Sequence, residues 1–247
     1  MVRLSVNVNK IATIRNARGG RVPSVLDAVD ACIRAGAHGI TVHPRADARH
    51  ITAADVWEIS ERLLGVRHHV EYNIEGDPRP DLLDLVHGVV PTQCTLVPVQ
   101  PGEITSQAGW PATTPRETLT GVIRDLQAAR VRVSMFVDAE DAPIRWAADL
   151  GVDRVELYTE PFARAFEQGE RAARRSWAVY VRAAELAHSL GLGVNAGHDL
   201  DLDNLVMFRV LPHLDEVSIG HALVSRAVFA GLEKSVREFV DVLSGAS

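Results

Sequence analysis

The feature that most constrains the fold is an alternation of short apolar runs with helix-length amphipathic patterns, repeated along the whole chain. Strand-like runs carry β-branched or alternating apolar residues, and helical patterns carry apolar residues on one face. The predicted strands span residues 4–8, 39–43, 69–73, 93–98, 131–137 and 154–158, followed by the segments 191–199 and 216–222. The predicted helices span residues 24–35, 52–64, 81–89, 115–130, 142–150, 162–190 and 226–243.

This alternation predicts a parallel α/β domain, because parallel strands need a crossover connection that is usually a helix. No linker or shift in composition divides the chain, so we expect a single domain over residues 1–247. Eight strands favour a closed (β/α)8 TIM barrel over an open sheet, and residues 162–190 leave room for an additional helix. The first strand lacks a glycine-rich dinucleotide fingerprint, which argues against a nicotinamide cofactor.

Composition limits the partners and the compartment. The chain has 247 residues and a formal net charge of -6, which argues against a general nucleic-acid binder. Cys32 and Cys94 lie far apart within apolar patterns, so we expect buried thiols in a reducing compartment. Because no signal-peptide pattern or membrane-length apolar run is present, we expect a soluble, cytoplasmic protein without a membrane partner.

Two segments late in the chain share a design that suits phosphate binding. Each ends in Gly-His, at Gly197-His198 and Gly220-His221, and the second leads into a helical pattern. Glycine lets the backbone approach a ligand closely, and a helix N-terminus supplies free amide donors and a favourable dipole. Since the last two strands of α/β barrels often form a phosphate site, we expect a phosphorylated substrate here.

Polar side chains also occupy the predicted carboxyl ends of the other strands, where barrel enzymes carry their chemistry. A lone histidine or glutamate at such a position is often only structural. Several on one rim are harder to explain as core, so we expect an acid–base site with the loop 99–110 as its lid. The residues collected in this way are Asn7, Asn9, His43, Glu71, Asn73, Glu156, His198, Gly220 and His221.

Several stretches, in order along essentially the whole chain, carry a family resemblance. They are residues 7–19 (NVNKIATIRNARG), 39–43 (GITVH), 49–51 (RHI), 96–98 (LVP) and the two Gly-His segments. Together they resemble the pyridoxine 5′-phosphate synthase family. The resemblance implies an α/β barrel with added helices, assembled as a homo-octamer built from dimers. It implies a reaction without cofactor or metal, in which 3-amino-2-oxopropyl phosphate and 1-deoxy-D-xylulose 5-phosphate condense to pyridoxine 5′-phosphate, phosphate and water.

The resemblance also implies roles for individual residues. The implied catalytic groups are His43, Glu71, His198 and Glu156. The implied ligands of the aminoketone phosphate are Asn7, Arg18 and the backbone around Asp199, Gly220 and His221. Those of the sugar phosphate are Asn9, Lys10, Arg45, His50 and Thr105. Arg18 lies in a loop next to glycine, and we expect it to complete a site across a subunit interface.

The chemistry is consistent with these residue types, because imine formation, loss of phosphate and water, and ring closure are a series of proton transfers. We expect Glu71 to move protons on the sugar-derived carbons and His43 to assist dehydration. We expect His198 to assist either phosphate release or Schiff-base formation. No enzyme lysine is required, because the substrate brings its own amine.

Two departures from the family pattern keep alternatives open. Many relatives have Asp-His in place of Asn9-Lys10, and glycine in place of Asp199. One alternative is another phosphate-handling barrel enzyme, an aldolase or isomerase, for which Lys10 is the candidate Schiff-base lysine. Another is a metal-dependent hydrolase with His43, Glu71 and His198 as ligands, although no strand has the His-x-His spacing of many barrel hydrolases. A non-catalytic binding protein is the least favoured alternative.

Overall fold

The computed structural model describes residues 1–99 and 106–246 as a closed barrel of eight parallel strands. The strands pair in chain order, and the last closes on the first, with Ser218 opposite Ser5. The predicted (β/α)8 barrel is therefore confirmed. The strands are β1 Arg3–Asn7, β2 Gly39–Val42, β3 Glu71–Gly76, β4 Gln93–Leu96, β5 Arg132–Val137, β6 Arg154–Tyr158, β7 Gly193–Gly197 and β8 Leu214–Ile219.

Eleven helices lie within the described residues, most of them in the crossovers between strands. Local sequence sets several of their starts: the Ser24 hydroxyl accepts a hydrogen bond from the Asp27 amide, and Thr52 forms a capping box with Asp55. The helices are α1 Asn9–Asn16, α2 Val25–Arg34, α3 Ala53–Leu63, α4 Pro80–Val89, α5 Glu117–Ala128, α6 Asp141–Leu150, α7 Glu160–Glu167, α8 Glu170–Ser189, α9 Leu202–Phe208, α10 His221–Ala230 and α11 Leu232–Ser244.

The helices differ from the predicted ones at three places. The segment after β1, interpreted as a loop, contains α1, which buries only Ile11 and Ala12 and so gives a weak apolar pattern. The short helix α9 lies between β7 and β8 and was not predicted. The last predicted helix is divided into two helices, α10 and α11. Gly231 lies between them with a φ of 87°, a value that residues inside an α-helix do not adopt.

The third strand begins and ends later than predicted. Residues 69–73 were expected to form it, whereas β3 spans Glu71–Gly76. Its later residues are held by pairing with β4, in which Glu75 lies opposite Thr95 and Gly76 opposite Leu96. Glu71 is therefore at the amino end of β3, and the carboxyl end carries a different glutamate.

The hydrophobic core lies between the barrel and its helices, whereas the inside of the barrel is mostly polar. Outward-facing strand residues such as Leu4, Ile40 and Val155 are fully buried under the helices. Bulky branched apolar side chains usually fill the interior of such barrels. Here the inward positions carry polar groups instead, from one mouth of the barrel to the other. These buried inward positions include Ser5, Thr41, Asn73, Gln93, Thr95, Ser134, Glu156, Asn195 and Glu216.

Hydrogen bonds across adjacent strands pair several of these polar side chains. The hydroxyls of Ser5 and Thr41 are 2.7 Å apart, Asn73 donates from Nδ2 to the Thr41 hydroxyl at 3.4 Å, and the Thr95 hydroxyl donates to Asn73 Oδ1 at 3.1 Å. Pairing of this kind matters because each unpaired buried polar group costs about 1–3 kcal/mol.

Two further predictions concern the cysteines and the membrane. Cys32 and Cys94 are both buried and free, as predicted. Among residues 1–99 and 106–246, no helix is long and apolar enough to cross a membrane.

Candidate active site

A cavity of about 460 Å³ opens at the carboxyl ends of the strands. This is the end at which barrel enzymes carry their chemistry, because loops from all eight strands converge there. Among the predicted site residues that the structure describes, all line it except Glu71, Arg18 and Asn73. Those that line it are Asn7, Asn9, Lys10, His43, Arg45, His50, Glu156, His198, Asp199, Gly220 and His221.

The three exceptions have different causes. Asn73 is buried inside the barrel, where its side chain hydrogen-bonds with Thr41 and Thr95. Glu71 lies at the opposite mouth, where it forms ion pairs with Arg3 and Arg132, so its predicted position at the site is wrong. Arg18 is exposed in the turn after α1 and does not line the cavity of its own chain. Thr105 lies outside the described residues, as does half of the predicted lid, residues 100–105.

Glu75 occupies the position at which Glu71 was expected. It lies two residues beyond Asn73 on the same face of β3, lines the cavity and is 8% exposed. Asn7 donates a hydrogen bond from Nδ2 to Glu75 Oε2 at 3.4 Å. The period-two alternation continues through Asn73 to Glu75 and could have found it, but the following Gly76-Asp77-Pro78 resembles a turn and hid the end of the strand.

Burial and neighbouring carboxyl groups raise the pKa values of two acids in the site. Burial raises the pKa of Glu75 well above its ordinary value, and the charges of Glu156 and Glu216 raise it further. Burial and Glu216 raise the pKa of Glu156 to about 8, although a hydrogen bond with Thr95 acts in the other direction. Both raised pKa values favour the protonated form of these carboxyls, as expected for buried acids beside other carboxyl groups.

The histidines have the opposite character. Burial lowers the pKa of His43 to about 3, with smaller contributions from His50 and Arg45. Burial also lowers the pKa of His198, although the charge of Asp199 opposes it. Near neutral pH the site therefore holds neutral imidazoles beside protonated carboxyls, which is a set of proton acceptors beside a set of donors.

Aromatic neighbours and asparagines fix where these groups lie. The His198 ring packs against Phe136 and Tyr158, each with ring centroids 5.3 Å away. Asn9 Oδ1 accepts the His43 amide at 2.9 Å, and Asn7 Oδ1 accepts the Asn9 amide at 3.1 Å. Asn7 and Asn9 thus link the end of β1 to the end of β2 as well as facing the cavity.

The two Gly-His segments form one corner of the cavity. A Cβ on Gly197 would overlap the Glu156 carboxylate, and a Cβ on Gly220 would lie 3.0 Å from the Cβ and carbonyl oxygen of Asn7, so a side chain at either position would force its neighbours to shift. Gly220 is the N-cap of α10, whose first amides therefore face the cavity. Backbone donors and the helix dipole make this corner suited to an anion.

The cavity also has a basic corner. Lys10, Arg45, Arg49 and His50 line this part of the cavity, and all come from the segments after β1 and β2. The charge of Lys10 lowers the pKa values of both His50 and His198, so Lys10 lies within electrostatic reach of both corners. Cationic side chains at one corner and backbone amides at the other are two chemically different settings that each suit an anion.

The geometry bears on the metal-hydrolase alternative. A metal site of that kind requires His43, Glu71 and His198 to lie together, but Glu71 lies at the far mouth of the barrel in ion pairs with arginine. Within the described part of the chain, no cluster of three or more His, Cys, Asp or Glu side chains is arranged to hold a metal ion.

Comparison with known proteins identifies the family. A sequence profile described as "Pyridoxal phosphate biosynthesis protein PdxJ" matches residues 4–245. The chain belongs to the PdxJ family. It is 49% identical over 245 residues to the pyridoxine 5′-phosphate synthase of Porphyromonas gingivalis, covering 99% of this chain and 100% of the relative. It is 50% identical over 244 residues to the pyridoxine 5′-phosphate synthase of Christiangramia forsetii, covering 98% and 100%. The resemblance found in the sequence is confirmed.

Solved structures outside the PdxJ family share the barrel. Phosphoribosyl anthranilate isomerase from Thermotoga maritima is 13% identical, with a TM-score of 0.62 over 99% of this chain and 100% of that one. The YdjI aldolase from Escherichia coli K12 is 10% identical, with a TM-score of 0.63 over 99% and 89%. At such low identities the likeness shows the fold alone.

Proposed function

We propose that this chain is a pyridoxine 5′-phosphate synthase, which condenses 3-amino-2-oxopropyl phosphate with 1-deoxy-D-xylulose 5-phosphate. The observation that carries the proposal is the cavity with two anion-binding corners and a set of neutral acids and bases between them. A reaction that joins two phosphorylated substrates needs both features. Membership of the PdxJ family supports the same reaction.

The two corners would hold different phosphates. The aminoketone phosphate is assigned to the amides around Asp199, Gly220 and His221, where glycine and the start of α10 leave donors free. The sugar phosphate is assigned to Lys10, Arg45 and His50, with Asn9 beside them. The reacting carbons would then lie between the corners, next to Glu75, Glu156, His43 and His198.

The proton transfers are assigned by protonation state. Glu75 takes over the role expected of Glu71 and moves protons on the sugar-derived carbons. A carboxyl with a raised pKa is a proton donor near neutral pH and becomes an acceptor after each transfer. His43, a neutral imidazole, assists loss of water, and His198 assists phosphate release or imine formation. Glu156, packed against Gly197, would stabilise charge that develops on the condensing intermediate.

Three features of the environment complete the proposal. Arg18, exposed on its own chain, would reach the cavity of a neighbouring subunit in a dimer, and such dimers would build an octamer. Reactive intermediates need protection from water, so the segment 99–110 would close as a lid. We also propose a cytoplasmic location, with two free thiols, Cys32 and Cys94, as support.

The decisive experiment is formation of pyridoxine 5′-phosphate by purified protein from both substrates, followed by mass and absorbance. We expect product from the wild type and a large loss in Glu75→Gln and in His198→Asn, with circular dichroism and melting temperature preserved. Glu71→Gln is the matched control, because the same change at the other mouth should keep the activity of each folded molecule. Loss of activity in Glu71→Gln with Glu75→Gln intact would reverse the assignment.

Lys10 supports a distinct second candidate, a Schiff-base aldolase, because it is a lysine inside the cavity. An aldolase forms an imine with the enzyme, whereas the proposed synthase forms it with the substrate amine. Borohydride treatment in the presence of 1-deoxy-D-xylulose 5-phosphate, followed by peptide mass mapping, separates the two. A reduced adduct on Lys10 would favour the aldolase, and an unmodified Lys10 together with product formation favours the synthase.

A further inference from the structure

We propose that Thr159 and Asn204 are positioning residues that hold the turn after β7 so that its amides face the aminoketone phosphate. Neither residue lines the cavity, and neither was expected from the sequence to have a role. The inference rests on the proposed function, since it concerns how the site binds one of its substrates. It is carried by hydrogen bonds and backbone geometry alone.

The turn adopts a conformation that its residues do not favour by themselves. His198 has a φ of 84° and Asp199 a φ of 56°, both in the left-handed region, although neither is glycine. Single residues in this region are held there by their surroundings, and they concentrate at ligand sites. Two in succession require contacts that keep the turn in place.

Thr159 supplies the first of these contacts from the end of the neighbouring strand β6. Its backbone amide donates to the Gly197 carbonyl at 3.0 Å, and its hydroxyl lies 2.6 Å from the same oxygen. The hydroxyl also lies within hydrogen-bond distance of the His198 carbonyl. Since the amide already satisfies Gly197, the single hydroxyl proton is available for His198, the residue at the strained position. Thr159 is 0% exposed, so water cannot replace it.

Asn204 supplies the second contact from the other side of the turn. Its Nδ2 donates to the Asp199 carbonyl at 3.0 Å, while its Oδ1 accepts the Asp201 amide at 3.0 Å. The Asp201 carboxylate in turn accepts the Asn204 amide at 2.8 Å, which completes the capping box of α9. The side chain that starts α9 therefore also orients the phosphate turn.

The consequence for the site follows from the planar peptide unit. In a trans peptide the carbonyl and the next amide point in opposite directions. With the carbonyls of His198 and Asp199 held by Thr159 and Asn204, the amides of Asp199 and Leu200 point the other way. Asp199 and Leu200 both line the cavity. Neither amide donates a hydrogen bond to any of the residues that the structure describes, so two aligned donors are left for an anion.

Selective variants test this arrangement. Thr159→Val removes the hydroxyl and keeps the shape, Thr159→Ser keeps the hydroxyl, and Asn204→Asp keeps the acceptor of the capping box but removes the amide donor. We expect Thr159→Val and Asn204→Asp to raise KM for 3-amino-2-oxopropyl phosphate about tenfold or more, with KM for the sugar phosphate changed less than about threefold. Thr159→Ser should restore most of the loss.

Thr120→Val is the matched control. The Thr120 hydroxyl also donates to a carbonyl, that of Arg116 at 2.8 Å, but on α5, none of whose residues lines the cavity. A general effect of losing a threonine hydroxyl would appear in both valine variants. We expect the kinetic constants of Thr120→Val to match those of the wild type.

A binding measurement separates failure of the inference from failure of the proposed function. Inorganic phosphate should raise the melting temperature of the wild type, and raise it less in Thr159→Val than in Thr159→Ser, whether or not product forms. If the wild type makes no product, the proposed reaction fails, and the phosphate shift still decides the role of Thr159. If Thr159→Val keeps both the phosphate shift and a wild-type KM, Thr159 is only structural and the inference is overturned.

Discussion

Two glutamates on one strand, Glu71 and Glu75, lie at opposite mouths of the barrel and have opposite electrostatic surroundings. They share a face of β3 and are separated by four residues, about 13 Å along the strand. Burial acts to raise the pKa of Glu71, but hydrogen bonds and charge from Arg132 and Arg3 outweigh it, so the pKa is lowered. Burial, together with the neighbouring carboxyl groups of Glu156 and Glu216, instead raises the pKa of Glu75.

The difference shows how one residue type performs two tasks on a single strand. Glu71 is ionised and fixed between two arginines, which suits a structural role at the amino mouth. Glu75 is protonated and faces an open cavity, which suits proton transfer. The surroundings, and not the residue type, separate a structural carboxyl from a candidate catalytic one.

The largest expected effect comes from Glu75→Gln. The amide keeps the size and the hydrogen bond with Asn7 but cannot transfer a proton, so kcat should fall about 10² to 10⁴-fold. Thermal unfolding should change little, because no ion pair is lost. The measurement is the initial rate of pyridoxine 5′-phosphate formation together with a melting curve. A rate within about threefold of the wild type would remove Glu75 from the proton-transfer scheme.

Glu71→Gln should show the reverse pattern. The change leaves Arg3 and Arg132 without their common carboxylate, and we expect the free energy of unfolding to fall by about 1–3 kcal/mol. The activity of each folded molecule should stay within about threefold. Urea unfolding measures the first quantity, and active-site-normalised rates measure the second. If Glu71→Gln unfolds at the same urea concentration as the wild type, the ion pairs at this mouth contribute little.

Glu156 in the cavity and Glu71 at the amino mouth should affect the pH dependence of stability in opposite directions. Glu156 has a folded pKa of about 8, above its unfolded value of 4.5, so the native state binds its proton more tightly than the unfolded state does. Between these values stability falls as pH rises, with a slope of up to about 1.4 kcal/mol per pH unit for one carboxyl. Glu71, whose pKa is lowered, adds stability above its unfolded pKa that is lost on acidification.

Glu156→Gln should therefore flatten the decline in stability between about pH 5 and 8, and Glu71→Gln should flatten the loss on the acid side. Urea titrations at intervals across pH 3 to 9 would measure both slopes. An unchanged slope on the neutral side in Glu156→Gln would mean that this carboxyl is ionised in the folded protein.

The smallest effect is expected from Arg3→Lys. Lysine keeps the charge beside Glu71 but loses the fork of guanidinium donors, and Arg3 is 31% exposed, so solvent weakens the ion pair. We expect a loss of about 0.5–1 kcal/mol in the free energy of unfolding and no change in kcat. A drop in kcat with intact stability would show that the amino mouth influences the active site.

Much of the site could be predicted because it follows from local patterns. Period-two alternation placed His43 and Glu156 on the inward face near the ends of their strands. The Gly-His pairs indicated the corner of the cavity to which we assign a phosphate. Glu71 failed for a specific reason: alternation identifies the face of a residue but not the end of its strand. No sequence pattern predicted roles for Thr159 and Asn204. Their partners are backbone carbonyls of the turn after β7, and the strained shape of that turn is visible only in the folded chain.

The sequence alone determined the fold class, the family and the residue types available at the cavity, because the eightfold alternation and the Gly-His turns are local features that side-chain periodicity encodes. Only the tertiary structure decided that β3 continues to Gly76, since pairing with β4 fixes that end. It also decided which carboxyls keep their protons. Glu75, Glu156 and Glu216 come from three strands far apart in sequence, and their shared burial inside the closed barrel sets their pKa values.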